Sequence, residues 1–280
     1  TSASPRLGGM VPHSSAFTEV RPTSRITPNG HPKPELRAEL RRIPNLRNAV
    51  SVASIYVQNI AIVWAALILH NPIAYVIAFV LMGRAHAQIL AMMHESVHRL
   101  LFSNRKLNDF AGRWLLGYLS FVNSDAYRYV HMAHHREEFG PNEPDIPLYA
   151  NYPVTRASLR RKLIRDATGQ TGYKLLRNQM HGLRSPDARV RRTLFKMLGV
   201  QVVIIAAFAV TGYWWMYLVF WVAPYLTVWR VINRLRSIAE HGGLREDDDR
   251  RYTTHSVHQS RFARFMMVPY NIGFHMAHHR

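Results

Sequence analysis

The 280-residue sequence has no cysteine. That excludes a disulfide scaffold, thiolate zinc sites, iron–sulfur clusters and a cysteine nucleophile. Lysine is scarce and occurs only at Lys33, Lys106, Lys162, Lys174 and Lys196, so arginine carries nearly all of the positive charge. Acidic residues number 17 against 36 basic ones, a formal charge of +19. An excess of that size points first to nucleic acid or an anionic membrane surface. The N-terminal region lacks an apolar h-region, so it is not a secretory signal. No periodic repeat runs through the chain, although the hexapeptide His-Met-Ala-His-His-Arg occurs twice.

What is abundant is histidine, 16 residues, more than twice the usual share for such a length. The chain is long enough for one or two domains with a sizeable core. Residues 1–48 are rich in Pro, Ser and Arg, and read as a basic, mostly disordered arm with one short helix at Pro34–Arg42. The first residue is Thr rather than Met, which leaves the true start open.

Four apolar stretches follow. Ala49–Leu69 has no charge and is long enough to span a bilayer core. After Asn71-Pro72, Ile73–Met93 is similar in length but carries Arg84, His86 and Gln88 in its second half. Met197–Thr211 and Trp214–Trp229 are shorter, and their Trp-rich flanks suit a membrane hairpin. Phe110–Val122 is too short to span and reads as an interfacial or re-entrant helix. The links 70–72 and 212–213 contain no Lys or Arg, whereas the other links are loaded with Arg. By the positive-inside rule both short links face out, and both termini and the long loops face the cytoplasm. The net charge is thus a topology signal before it is a nucleic-acid signal.

The histidines cluster. His94 and His98 end the second stretch; His131, His134 and His135 follow; His241 lies after the fourth; His275, His278 and His279 close the chain. Spacings of three and four put each cluster on one helical face, with Cβ atoms about 5–6 Å apart. His70 and His86 stand alone and read as ordinary amphipathic residues. At this histidine frequency one H-x-x-H-H pattern is expected in roughly one sequence in twenty, and two copies in about one in a thousand. Neutral imidazoles suit iron, copper or zinc, and nine are too many for one ion.

In their order between paired apolar hairpins, the three boxes and the separate His241 resemble the membrane fatty acid desaturase and hydroxylase superfamily. Gly83-Arg-Ala-His-Ala-Gln-Ile-Leu before the first box is similar to its bacterial members. So are Tyr127-Arg128 before the second box, Pro144-Asp145 after it and Asn271-Ile272 before the third. The resemblance covers residues 49–280, and relatives continue past the third box, so a longer native chain is expected. It implies a non-haem di-iron centre held by His94, His98, His131, His134, His135, His241, His275, His278 and His279, with O2 as co-substrate. It also implies a lipid acyl substrate and a separate electron donor such as a ferredoxin or cytochrome b5. The expected fold is all-α: four transmembrane helices in two hairpins, capped by a cytoplasmic helical domain. Glu95 and Glu240, next to two of these histidines, either orient imidazoles or face water.

Rival readings fit less of the chain. The first box also reads H-E-x-x-H, a zinc-protease helix with Glu95 as general base, but that leaves both H-x-x-H-H boxes and His241 without work. A soluble di-iron carboxylate protein needs two Glu-x-x-His pairs and two more Glu, and only Glu95/His98 fits. Transporter ligands belong near the bilayer midplane, whereas these lie at one face. A nucleic-acid module is weaker still, because the Arg residues flank the spans. Desaturation, hydroxylation and ketolation share oxidant and ligands, and acyl, sphingolipid and carotenoid substrates stay open. The matching dipeptides favour desaturation.

Overall fold

The computed structural model describes residues 21–27, 31–141, 143–149, 151–247 and 251–279. Its contacts divide the chain into two units, Thr1–Arg42 and Ile43–Arg280. Residues 1–20 and 28–30 of the expected basic arm lie outside the described residues. In the described part of the first unit an isolated bridge joins Ile26 to Pro32, and α1 spans Pro34–Leu40. Proline starts α1 well because the first helical N–H has no partner to lose.

The second unit is helical throughout its regular structure. It comprises α2 (Asn45–Leu69), α3 (Pro72–Val97), α4 (Arg105–Phe110), α5 (Ser124–Arg136), α6 (Ile146–Tyr149), α7 (Arg156–Ala167) and α8 (Gln170–Met180). It continues with α9 (Ala188–Val210), α10 (Ala223–Leu226), α11 (Val228–His241), α12 (Arg261–Met266) and α13 (His275–His278). Among the described residues three helices are long and apolar enough to cross a membrane: the one ending at Leu69, α3 and α9. Between the first two, His70 adopts a left-handed conformation and Asn71 caps α3 by accepting a hydrogen bond from the Ala74 N–H at 2.9 Å. Such a cap contributes about 1 kcal/mol. α9 starts on Asp187, which accepts from the Arg189 N–H at 2.7 Å, and stops before Gly212, whose φ of +82° suits glycine.

The stretch expected as a fourth span is not one uninterrupted α-helix. It winds as a π-turn at Leu218–Val222, passes through Pro224 in α10 and breaks at Thr227 before α11. Proline lacks the N–H for an i−4 bond, and π-turns and prolines are the usual causes of such breaks. Phe110–Val122 is helical, as expected, with a π-turn at Ala111–Gly117 and a 3-10 turn at Tyr118–Ser120. Its Leu116, Tyr118 and Leu119 are buried, so it packs into the core.

α3 lies at the centre. It packs against α2, the Ala111–Gly117 turn, α10 and α11. The approach of α11 is close: a Cβ on Gly83 would fall 2.3 Å from the Val228 Cβ. Only a residue without a side chain lets two helices meet so tightly. Outside the apolar layer α7 is tied to α11 by a buried ion pair between Asp166 and Arg234. These contacts bring the C-terminal ends of α3 and α11 together, where the histidines are.

Candidate metal centre

Each histidine cluster is placed by its own local structure. His94 lies in the last turn of α3, and His98 is its C-cap, one turn on. α5 begins at Asn123, whose side chain accepts from the Asp125 and Ala126 N–H groups, and projects His131, His134 and His135 from its last turns. His241 is the final residue of α11. The short α13 carries His275 and His278, with His279 as its C-cap.

All nine expected residues come together. His94, His98, His131 and His278 offer donor atoms within 4.8 Å of one another, and so do His134, His241, His275 and His279. His135 forms a third such group with His278 and His279. The His131 Nε2 lies 2.9 Å from that of His98, 3.0 Å from that of His135 and 3.4 Å from that of His278. The His275 Nε2 lies 2.9 Å from that of His241 and 3.0 Å from that of His279. One imidazole nitrogen carries at most one proton, so three such contacts cannot all be hydrogen bonds. The His94 Nε2 is buried with no hydrogen-bond partner. Converging, uncompensated lone pairs are what a cation would satisfy, so this donor set fits metal ions.

The electrostatics point the same way. Burial, reinforced by neighbouring imidazoles, pushes His98 down to about 3 and His135 to about 2. Burial also lowers His241 to about 3, and His131, His275 and His278 fall well below the ordinary value. Neutral imidazole is the form that binds metal. His134 is the exception. Burial works to lower it, but the hydrogen bond and charge of Glu143 outweigh that and raise it.

The outer nitrogens have partners that spacing alone did not reveal. Glu143 hydrogen-bonds the His134 Nδ1, and Glu138 pairs with the His279 Nδ1. The Thr253 carbonyl accepts from the His241 Nδ1 at 2.9 Å. Glu240 is buried 3.7 Å from the His275 Nδ1, and Glu95, half-exposed, lies 3.5 Å from the His94 Nδ1. Glu240 is thus enclosed beside an imidazole, whereas Glu95 stands beside one and also faces solvent, and neither forms a hydrogen bond to the ring nitrogen. Acidic residues within five positions of the second box, Glu138 above all, were the available signal for this shell; the Thr253 carbonyl left none.

The remaining histidines divide. His70 is exposed and its Nδ1 meets the Tyr75 hydroxyl at 2.7 Å. His86 is not an interfacial residue: it is fully buried, between the Ser120 hydroxyl at 2.9 Å and the Trp221 carbonyl at 3.0 Å. With an acceptor on one ring nitrogen and a hydroxyl on the other, it is a satisfied core residue.

The sequence profile described as fatty acid desaturase matches residues 36–280. This chain belongs to the fatty acid desaturase family. A dihydrorhizobitoxine desaturase from Bradyrhizobium elkanii is 24% identical over 220 residues, covering 73% of this chain and 62% of that protein. The chain therefore spans less than two thirds of that curated relative. Its histidine clusters are consistent with the histidine-box di-iron site of that family. A separate apolar cavity of about 360 Å³ lies between α2 and α9, lined by Tyr56, Val63, Met82, Phe208 and Trp221 among others. None of the nine clustered histidines lines it.

Proposed function

We propose that this desaturase-family chain removes two hydrogens from adjacent methylenes of a lipid acyl chain, at two irons held by the nine histidines. The observation that carries the reading is the pair of four-histidine groups with mutually close donor atoms. Balanced, the reaction takes CH2–CH2, O2, two electrons and two protons to CH=CH and two waters. Bound iron supplies the oxidising power for an unactivated C–H bond, and the protein supplies ligation, orientation and a dry site. His94, His131, His134, His241 and His275 are buried, which keeps bulk water from the donor nitrogens. Tyr127 stacks on His131 at 5.4 Å between ring centroids and holds that ring in place.

In the membrane we place α2 and α3 as one hairpin, and α9 with the interrupted run to Trp229 as the other. Both uncharged links face outward, and the histidines sit at the cytoplasmic face. Electrons come from a separate acidic protein such as a ferredoxin or cytochrome b5. Arg160, Arg161 and Arg165 on α7 are exposed and suit such a partner. The zinc-protease reading loses its support, because His94 and His98 are grouped with His131 and His278 rather than with one isolated third ligand.

The test is expression of the full chain with an electron donor, followed by mass spectrometry of cellular lipids. The expected product is lighter than its saturated precursor by two hydrogens. A product heavier by one oxygen, labelled from O2, would replace desaturation by hydroxylation. Tags at Asn71 and Gly212 should be reached only from outside and a tag near residue 170 only from the cytoplasm; labelling of residue 170 in intact cells overturns the orientation.

A further inference from the structure

The two four-histidine groups are not equivalent in what surrounds them. In the group of His134, His241, His275 and His279, every ring has an acceptor near its outer nitrogen. Glu143 meets His134 and is itself held by the Phe139 N–H at 2.7 Å. Glu138 meets His279 and accepts from the Thr254 hydroxyl at 3.0 Å. The Thr253 carbonyl meets His241, and Glu240 stands 3.7 Å from His275 while accepting from the Arg236 Nε at 2.7 Å. Arg236 offsets part of the Glu240 charge. Asp145 adds a further carboxylate close to His134 and Glu143.

The group of His94, His98, His131 and His278 is furnished differently. Its carboxylate neighbour is Glu95, 3.5 Å from the His94 Nδ1, with a side chain 38% exposed. The hydrogen-bond-range contacts of His98, His131 and His278 are to other imidazoles. Enclosure differs in the same sense. His98 and His278 are half-buried, whereas all four side chains of the other group are buried.

Resting on the two-metal reading above, we infer that the two metal positions are unequal by construction. The position formed by His134, His241, His275 and His279 holds a divalent cation tightly, and the position formed by His94, His98, His131 and His278 gives it up first. The physical cause is the set of groups behind the rings. A carboxylate on the outer N–H fixes the ring's tautomer and makes the inner nitrogen a stronger donor, an effect worth about 10–100-fold in metal affinity per partner. Glu138 and Glu143 are accordingly positioning residues: they act on the metal through His279 and His134.

The experiment uses the full chain in detergent, loaded anaerobically with isotope-enriched Fe(II) and equilibrated against a graded series of chelator concentrations. Iron per chain and the Mössbauer spectrum are read at each step. The expected result is release in two steps about 10-fold or more apart, with one of two spectral components lost first. Glu138→Gln and Glu143→Gln should each move only the tighter step, by about 10–100-fold, whereas Glu95→Gln should leave that step in place. Two irons lost together, with one spectral component, would overturn the inequality and leave the two-metal reading standing. A tighter step that responds equally to Glu95→Gln and Glu143→Gln would also overturn it. Saturation at one iron per chain would sink the two-metal reading itself. The two-step release is read on the unaltered protein, so the inference stays testable if a variant fails to fold.

Discussion

α3 and α9 are both long and apolar enough to cross a bilayer, yet they are built for opposite surroundings. On α9, Val202, Val203 and Val210 are exposed, and only Leu194, Met197 and Gln201 are buried. On α3, every residue from Met82 to His94 is buried, and that run includes Arg84, His86 and Gln88. The difference fits the rule that polar side chains in a candidate span are held inside protein, with partners. Arg84 donates to the Phe265 carbonyl at 2.6 Å and to Gln88 at 2.9 Å, and its guanidinium stacks over the Phe265 ring at 4.0 Å. α3 is therefore a helix whose apolar residues face other helices and whose polar ones fix the segment leading to the third box.

The largest expected effect comes from carrying the contrast of buried and exposed positions over to the histidines. His241, buried where α11 meets α3, is expected to be required for iron: His241→Ala should lose most iron and activity. His258 is exposed, and His258→Ala should lose neither. Iron analysis of the two purified variants decides it, and equal behaviour would remove His241 from the metal centre.

Glycines give a sharper comparison of the same two helices. Gly83 on α3 has no room for a Cβ, while Gly199 on α9 has nothing within 4 Å of where one would be. Gly83→Ala forces α3 and α11 apart and should destabilise by about 1–3 kcal/mol, as overpacking does. Gly199→Ala should be neutral or stabilising by up to about 1 kcal/mol, from helix propensity alone. Thermal unfolding in one detergent measures both. A tolerated Gly83→Ala would mean that α11 does not pack closely on α3.

Much of this contrast was legible in the sequence, and the illegible part has physical causes. The three boxes were readable because i, i+3 and i+4 spacing converts directly into a shared helix face. The long apolar runs gave α2, α3 and α9 for the same reason. Trp214–Trp229 read as one apolar stretch, and its interruptions stayed hidden because composition does not report the π-turn at Leu218–Val222 or the break at Thr227. His86 was misjudged because its partners, Ser120 and the Trp221 carbonyl, lie 34 and 135 positions away. Glu138 and Glu143 both follow the second box, but Glu138 pairs with His279 of the third, and only the folding of residues 137–141 and 143–149 turns them toward the rings. A backbone carbonyl such as that of Thr253 carries no sequence signal at all.

The smallest expected effect is the cleanest check on the exposed side of α9. Val203 on α9 is 69% exposed, so Val203→Leu adds a methylene to a surface that no neighbouring side chain covers. Nothing is displaced and no partner is lost, and the change should stay within about 0.5 kcal/mol. Ala85 on α3 is 0% exposed. Ala85→Leu puts a larger side chain into a filled interior, where extra volume forces neighbours off their rotamers at a cost of about 1–3 kcal/mol. Both substitutions raise hydrophobicity, so a scale of membrane insertion alone would score them alike. Unfolding measurements should separate them, with Ala85→Leu lowering the midpoint and Val203→Leu leaving it unchanged. Equal midpoints would show that α3 is no more enclosed than α9, and that the polar residues on α3 need another explanation.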